Sequence, residues 1–214
     1  RRAAERTRDK TKEEYILIGT WNGLYKYNRQ HDDFILMPFF NRQAQAIHED
    51  GNGTLWVCSY GNGVYFFNPK TGAKGSFQYD AQNANSLSNN YVNNLFEDSK
   101  HNIWFCTESG LCRYDGTSKK IIRYSIDPSL PDNQVFKMLE DDKGTFWIST
   151  SKGLISLNLQ KHQTKIYNTN NGLLSEQFNY NSAFKNNNGT FYFGTVKGMI
   201  GFNPDSLVEN NFIP

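Results

Sequence analysis

The stretch FWISTSKGLISL (residues 146–157) decides the fold, because the chain rebuilds it four more times with the same chemistry at each position. The copies read IWFCTESGLCRY (103–114), LWVCSYGNGVYFF (55–67), FYFGTVKGMIGF (191–202) and ILIGTWNGLYKY (16–27). In each, a run of branched and aromatic residues ends at Ser or Thr, two or three residues follow, and a Gly precedes a second apolar run. Branched and aromatic side chains suit strands, and Gly supplies the positive φ of a tight hairpin connection. Each copy is therefore predicted to be a β-hairpin.

With the Ser or Thr as ruler, the copies sit at Thr20, Ser59, Thr107, Thr150 and Thr195, in steps of 39, 48, 43 and 45 residues. Leucine-rich repeats recur every 20 to 29 residues or so, whereas about 40 to 50 residues per four strands is the pitch of a β-propeller. The expected fold is all-β: four-stranded antiparallel blades, about five repeats, part of a larger propeller. The second repeat shows a whole blade, with strand A at 43–48, B at 55–58, C at 64–67 and D at 75–79. Other D strands are expected at 34–39, 120–124 and 164–167. The B strands, such as Phe146-Trp147-Ile148, are apolar on both faces of the pleat, as a blade between two others requires. Trp147 should be buried and Trp21, in a B-to-C turn, exposed.

Residues 1–14 are charged and lack period-2 alternation, so the first repeat is expected to lack its A strand. The blades are expected over 15–204. Residues 205–214 read as an exit linker, leaving the last blade without D. Since strands alternate direction, the B-to-C turns and the long D-to-A loops (80–90, 125–133 and 168–177) should emerge on one rim, which gathers the variable polar sequence.

The net charge of +2 comes from 23 basic and 21 acidic residues, and four arginines fall in the first eight positions. The body is about neutral, which gives no electrostatic case for nucleic acid. No apolar run approaches the roughly 18 to 20 residues that span a bilayer, and RRAAERTRDKTKEE, charged and with no apolar core after it, is not expected to be a secretory signal. Cys58, Cys106 and Cys112 form no metal pattern. Cys58 and Cys106 occupy equivalent B-strand positions, so their sheets should lie about 10 Å apart, too far for a disulfide. All three are expected in the core.

The turns EDGNGT and EDDKGT lack the ligand series of a calcium loop. Asp50, Asp98 and Asp141 are expected to cap these turns through backbone N–H groups. Asn52 and Asn188 match the glycosylation pattern, but Asn-Gly is sufficiently explained as a turn. His31, His48, His101 and His162 never fall at ligand spacing. No GxSxG, P-loop or HExxH occurs, and Glu108 and Glu176 alone do not make a glycosidase. The residues offer no catalytic constellation, no metal site and no cofactor.

An acidic turn followed by [LIF]-W-[VFI]-x-[ST]-x-x-G-[LV] and a terminal aromatic, as in EDGNGTLWVCSYGNGVYFFNP and EDDKGTFWISTSKGLISLN, resembles the two-component regulator propeller repeat. The resemblance covers roughly residues 15–204, although Leu17 stands where the first repeat would have Trp. It implies the periplasmic sensor region of a hybrid two-component system of gut Bacteroidetes, anchored in the inner membrane. Such sensors detect glycan fragments with two consecutive propellers, followed by a Y_Y_Y domain, a membrane helix and a histidine kinase. The implied partners are a glycan fragment and a following Y_Y_Y domain, with a homodimer as a further expectation. A protein-interaction propeller of the WD40 type, or a propeller lyase or hydrolase, is the alternative. On the loop-rich rim, Trp21, Asn22, Tyr60, Asn62, Asn85, Glu108, Lys152 and Asn171 are the candidate ligand-binding residues, because carbohydrate sites pair aromatic platforms with polar groups.

Overall fold

The computed structural model describes residues 3–8, 14–124 and 134–207, with backbone alone described at 3–8 and 14. Its strands form five separate antiparallel meanders, each in chain order. Blade I comprises β1 (Ala3–Arg8), β2 (Glu14–Thr20), β3 (Gly23–Asn28) and β4 (Asp33–Leu36). Blade II comprises β5 (Ala44–Glu49), β6 (Leu55–Ser59), β7 (Gly63–Phe67) and β8 (Lys74–Phe77). Blade III comprises β9 (Val92–Glu97), β10 (Ile103–Thr107), β11 (Gly110–Asp115) and β12 (Lys120–Tyr124). Blade IV comprises β13 (Val135–Glu140), β14 (Phe146–Thr150), β15 (Gly153–Asn158) and β16 (Gln163–Tyr167). Blade V has three strands among the described residues, β17 (Phe178–Lys185), β18 (Phe191–Thr195) and β19 (Gly198–Phe202).

The missing A strand of the first repeat is corrected. Ala3–Arg8 pairs antiparallel with β2, from Ala3 opposite Gly19 to Arg8 opposite Glu14, and completes blade I. The sequence AAERTR carries no strand pattern of its own. An edge that β2 leaves open supplies the pairing that propensity does not.

The chain divides into two compact units, Arg1–Val135 and Phe136–Pro214. In the first, the face of blades I and II that carries the strand-B Trp position, here called forward, packs on the opposite or rear face of the next blade. Leu17 and Leu24 of blade I meet Leu55 and Val57 of blade II, and Trp56, Cys58 and Val64 of blade II meet Ile103, Phe105 and Ile121 of blade III. The second unit repeats the arrangement, with Trp147 and Leu154 of blade IV on Phe191 and Phe193 of blade V. The strands β6, β10 and β14 are buried along their whole length, as their two-faced apolar sequence required. Trp147 is 4% exposed and Trp21 68%.

Each acidic turn is tied to its tryptophan. Asp98 Oδ1 accepts from the N–H groups of Lys100 and Asn102 at 2.9 and 2.8 Å, while Oδ2 accepts from the Trp104 indole at 2.8 Å. Asp50 holds Asn52, Thr54 and Trp56 in the same way, and Asp141 holds Lys143, Thr145 and Trp147. The capping role is legible in the sequence, whereas the link from Asp to the Trp six residues later appears only in the fold. It explains why Trp recurs at that position: its apolar body fills the interblade space while its N–H finds a carboxylate acceptor. In blade V, Asn186 and Tyr192 stand in these places.

All three cysteines are buried and none forms a disulfide. Burial, and next the neighbouring Cys106, push the Cys58 thiol well above its ordinary value, so it stays protonated and behaves as core.

Candidate functional site

The candidate residues fall in both units. In the first are Trp21, Asn22, Tyr60, Asn62, Asn85 and Glu108, and in the second Lys152 and Asn171. The B-to-C turns that carry most of them are built alike. In four of the five, Thr Oγ1 donates to the Gly carbonyl three residues on and accepts from the intervening N–H, so Thr20 fixes Asn22, and Thr150 fixes Lys152. Trp21, Asn22 and Lys152 project into solvent from these rigid turns.

In blade II the turn is one residue longer and leans on the loop that leads to blade III. Asn90 O accepts from the N–H groups of Gly61 and Gly63 at 3.1 and 2.9 Å, and Tyr60 bridges to Tyr91. This places the Tyr60 and Tyr91 rings edge to face, with centroids 4.7 Å apart, while 41% and 45% of the two residues remain exposed. Beside them Asn62 Oδ1 accepts from Arg42 Nη1 at 3.3 Å. The B-to-C turn and the end of the D-to-A loop therefore share one rim, as strand alternation required.

Glu108 sits on the same rim in blade III, half-buried. Its N–H donates to Tyr91 O at 3.0 Å, and its carboxylate accepts from Asn93 Nδ2 at 2.8 Å and from Gln134 Nε2. Asn93 is wholly buried and also donates to Val135 O at 2.9 Å, while its Oδ1 has no partner. Glu108 thus joins the Tyr91 segment to a polar cluster of Asn93 and Gln134.

Two candidates are placed differently from the rest. The loop around Asn85 folds back along blade III: Asn85 O accepts from Ile121 N at 3.3 Å, near the far end of β12, and Arg123 ties Asp80, Asn83 and Ser86 to the same strand. Asn85 is therefore held beside the outer strand and away from the Tyr60–Tyr91 pair. Asn171 closes a 3-10 turn, Thr169–Asn171, in which its side chain accepts from Asn168 N at 3.0 Å. Its side-chain oxygen is spent on the turn. The expected loop at 125–133 lies outside the described residues.

Tyr91, Asn93, Arg42 and Gln134 belong to this rim and were not singled out. Tyr91 and Asn93 stand at the entrance to strand A, where the apolar residues Val92 and Leu95 carry the strand signal. A polar Asn at a strand position was the available signal.

Elsewhere, a shallow polar cleft in the second unit is lined by Asp142, Lys185, Asn203 and Asp205. Its charges are already paired, Lys185 with Asp142 and Lys143 with Asp205, each at 2.6 Å. Among the described residues no three His, Cys, Asp or Glu side chains gather as a metal ion would require. No helix among them is long and apolar enough to cross a membrane.

The repeats match known proteins. Residues 86–109 and 129–152 match the family model of the two component regulator propeller. The chain is 25% identical over 260 aligned residues to histidine kinase P4 of Formosa agariphila, an alignment that takes in 94% of this chain and 19% of that protein. Among solved structures it superposes on the extracellular domain of a protein described as a hybrid two component system of B. thetaiotaomicron, with a TM-score of 0.78 and 21% identity, over 95% of this chain and 28% of that one. Virginiamycin B lyase of Staphylococcus aureus matches with a TM-score of 0.64 at 10% identity, over 95% of this chain and 74% of the lyase. The chain spans only about a fifth of the length of the curated relative. The β-propeller fold expected from the repeat period is the fold of these structures, and two stretches of the chain match the two component regulator propeller family, as the repeat pattern had indicated.

Proposed function

We propose that this chain is the ligand-sensing propeller segment of a hybrid two-component receptor, lying in the periplasm as part of an inner-membrane protein, and that its rim of B-to-C turns and D-to-A loops receives an oligosaccharide. The observation that carries this reading is the exposed Tyr60–Tyr91 pair, set by backbone bonds to Asn90 and flanked by Asn62 and Arg42. A tyrosine ring offers an apolar face to the C–H side of a sugar and a hydroxyl to its rim. Neighbouring amide, guanidinium and carboxylate groups suit sugar hydroxyls, and rigid turns keep the ordering cost low. Glu108 and Gln134 would read hydroxyls at the same edge, with Asn93 buried behind them. Signal output would pass to a following Y_Y_Y domain and a kinase elsewhere in the polypeptide. Two lines support this: the match to the regulator propeller and the resemblance to a histidine kinase. Titration calorimetry of the chain against a panel of oligosaccharides tests it. Saturable heat with at least one member is expected, and none with any member would overturn the sugar reading.

A further inference from the structure

Within the first unit, Arg42 is a cation held in place with most of its donors unspent. It lies in the loop from β4 to β5, between the B-to-C turns that carry Trp21 and Tyr60. On the blade I side, Leu24 N donates to Phe40 O at 3.3 Å, and a Cβ added at Gly23 would lie 3.6 Å from Asn41 Cα. The residue before Arg42 therefore packs on the turn of Trp21 and Asn22. On the blade II side, Arg42 Nη1 donates to Asn62 Oδ1 at 3.3 Å, and the guanidinium carbon stands 5.8 Å from the centre of the Tyr65 ring. The amide and the ring together fix the direction of the guanidinium. Arg42 is nevertheless exposed, and it forms no ion pair among the described residues. Arg123 of blade III, by contrast, has committed Nε and Nη2 to the carbonyls of Asp80, Asn83 and Ser86 and to the Ser86 hydroxyl.

A guanidinium offers only donors, and its planar fork matches a carboxylate through two parallel bonds. A sugar hydroxyl, which donates as well as accepts, uses that fork poorly. Asn62 Nδ2 bonds to no described residue and adds a neutral donor beside it. The exposed rings of Trp21 and Tyr60 on either side suit the C–H faces of sugar units, which leaves the position between them for a unit that carries charge. We propose that the ligand is an acidic oligosaccharide, in which a uronic acid unit sits over Arg42 and its carboxylate is bound by that guanidinium. This rests on the oligosaccharide reading above and names the class of sugar that the site takes. Beyond Tyr91 the carboxylate of Glu108, bonded to Asn93 and Gln134, would meet a second acid unit as a like charge, so the acid is specified at the Arg42 end.

Titration calorimetry tests this with tetrasaccharides of hyaluronan, of polygalacturonate and of polymannuronate, each beside its carboxyl-reduced counterpart. Reduction turns the carboxylate into a neutral hydroxymethyl group and leaves the rest of the ring unchanged. At least one acidic tetrasaccharide is expected to bind wild type about tenfold or more tighter than its reduced form, the worth of a hydrogen bond to a charged group. Arg42→Gln, at an exposed position and so expected to keep the wild-type circular dichroism, should erase that difference by weakening the acidic form far more than the reduced one. Tyr60→Ala should weaken both forms and keep their ratio. The difference should also narrow as salt is raised. Acidic and reduced forms bound alike by wild type, or a preference that survives Arg42→Gln, overturns the proposal while the oligosaccharide reading stands. A sulfated galactan tetrasaccharide bound where no uronate is bound overturns it too, since the anion would then be a sulfate. Heat from none of the acidic tetrasaccharides overturns it as well, and the wider panel of neutral oligosaccharides then tells whether the oligosaccharide reading falls with it.

Discussion

Ser59 and Thr150 hold the same place in their repeats, yet their hydroxyls fare differently. Thr150 Oγ1 donates to Gly153 O at 2.8 Å and accepts from Lys152 N at 3.1 Å. The turn after Ser59 is one residue longer, its Gly lies four residues on, and the buried Ser59 Oγ has no partner. A buried hydroxyl with nothing to bond costs free energy, while deleting one that bonds leaves its partners unsatisfied. Thr150→Ala is therefore expected to destabilise by about 1 to 3 kcal/mol, and Ser59→Ala to be neutral or stabilising by up to about 1 kcal/mol. Urea unfolding of the two variants checks this. The Ser or Thr was legible as a repeat marker because its spacing to Gly is local. Its bonding was not, because the outcome turns on a single inserted residue. The Asp–Trp bonds show the same limit: Asp98 reads as a turn cap, but its second oxygen on the Trp104 indole needs the fold to bring them together.

At the scale of elements, blades II and III are joined on the rim of the A-to-B turns by Glu97. It accepts from His48 of β5 and from His101 of its own turn, each at 2.7 Å, and from Gly51 N at 3.3 Å. Burial by itself would raise the Glu97 carboxyl, but the bonds from His48, His101 and Gly51 outweigh it and hold the group below its ordinary value. A carboxyl lowered on folding contributes stability that is fully present above its unfolded value, near 4.5, and is lost as pH falls through the folded value. The stability advantage of wild type over Glu97→Gln is therefore expected to shrink as pH falls below 4.5. Thermal melts across that range measure it, and an advantage that grows there would contradict the assignment. The hairpins themselves were readable, and β12 falls where its sequence placed it, because two-faced apolar strands and turn glycines are local signals. At Gly153 the turn requires φ of 122°, and an added Cβ would overlap the Tyr167 carbonyl. The strand Ala3–Arg8 was not readable, since its pairing comes from β2 alone. The path of the loop at Asn85 was not readable either, since strand alternation fixes where a loop begins and ends but not where its tip lies.

At the scale of the molecule, the blades of the first unit present two unlike rims. Its rim of A-to-B turns is closed by internal bonds: the caps made by Asp50 and Asp98 and the Glu97 cluster. The rim of B-to-C turns leaves rings and amides facing solvent at Trp21, Tyr60, Tyr91 and Asn62. A ligand that must be recognised by stacking and by hydroxyl contacts has groups to meet on the second rim, and groups already committed on the first. The most direct measurement is calorimetry of whichever oligosaccharide the chain binds, repeated with Tyr60→Ala, with Trp21→Ala and with Asn52→Ala on the opposite rim. Loss of affinity of about tenfold or more with Tyr60→Ala, as for an aromatic anchor at the centre of a contact, and no change with Asn52→Ala, is the expected result. Affinity unchanged by both aromatic substitutions, or lowered by Asn52→Ala, would contradict it.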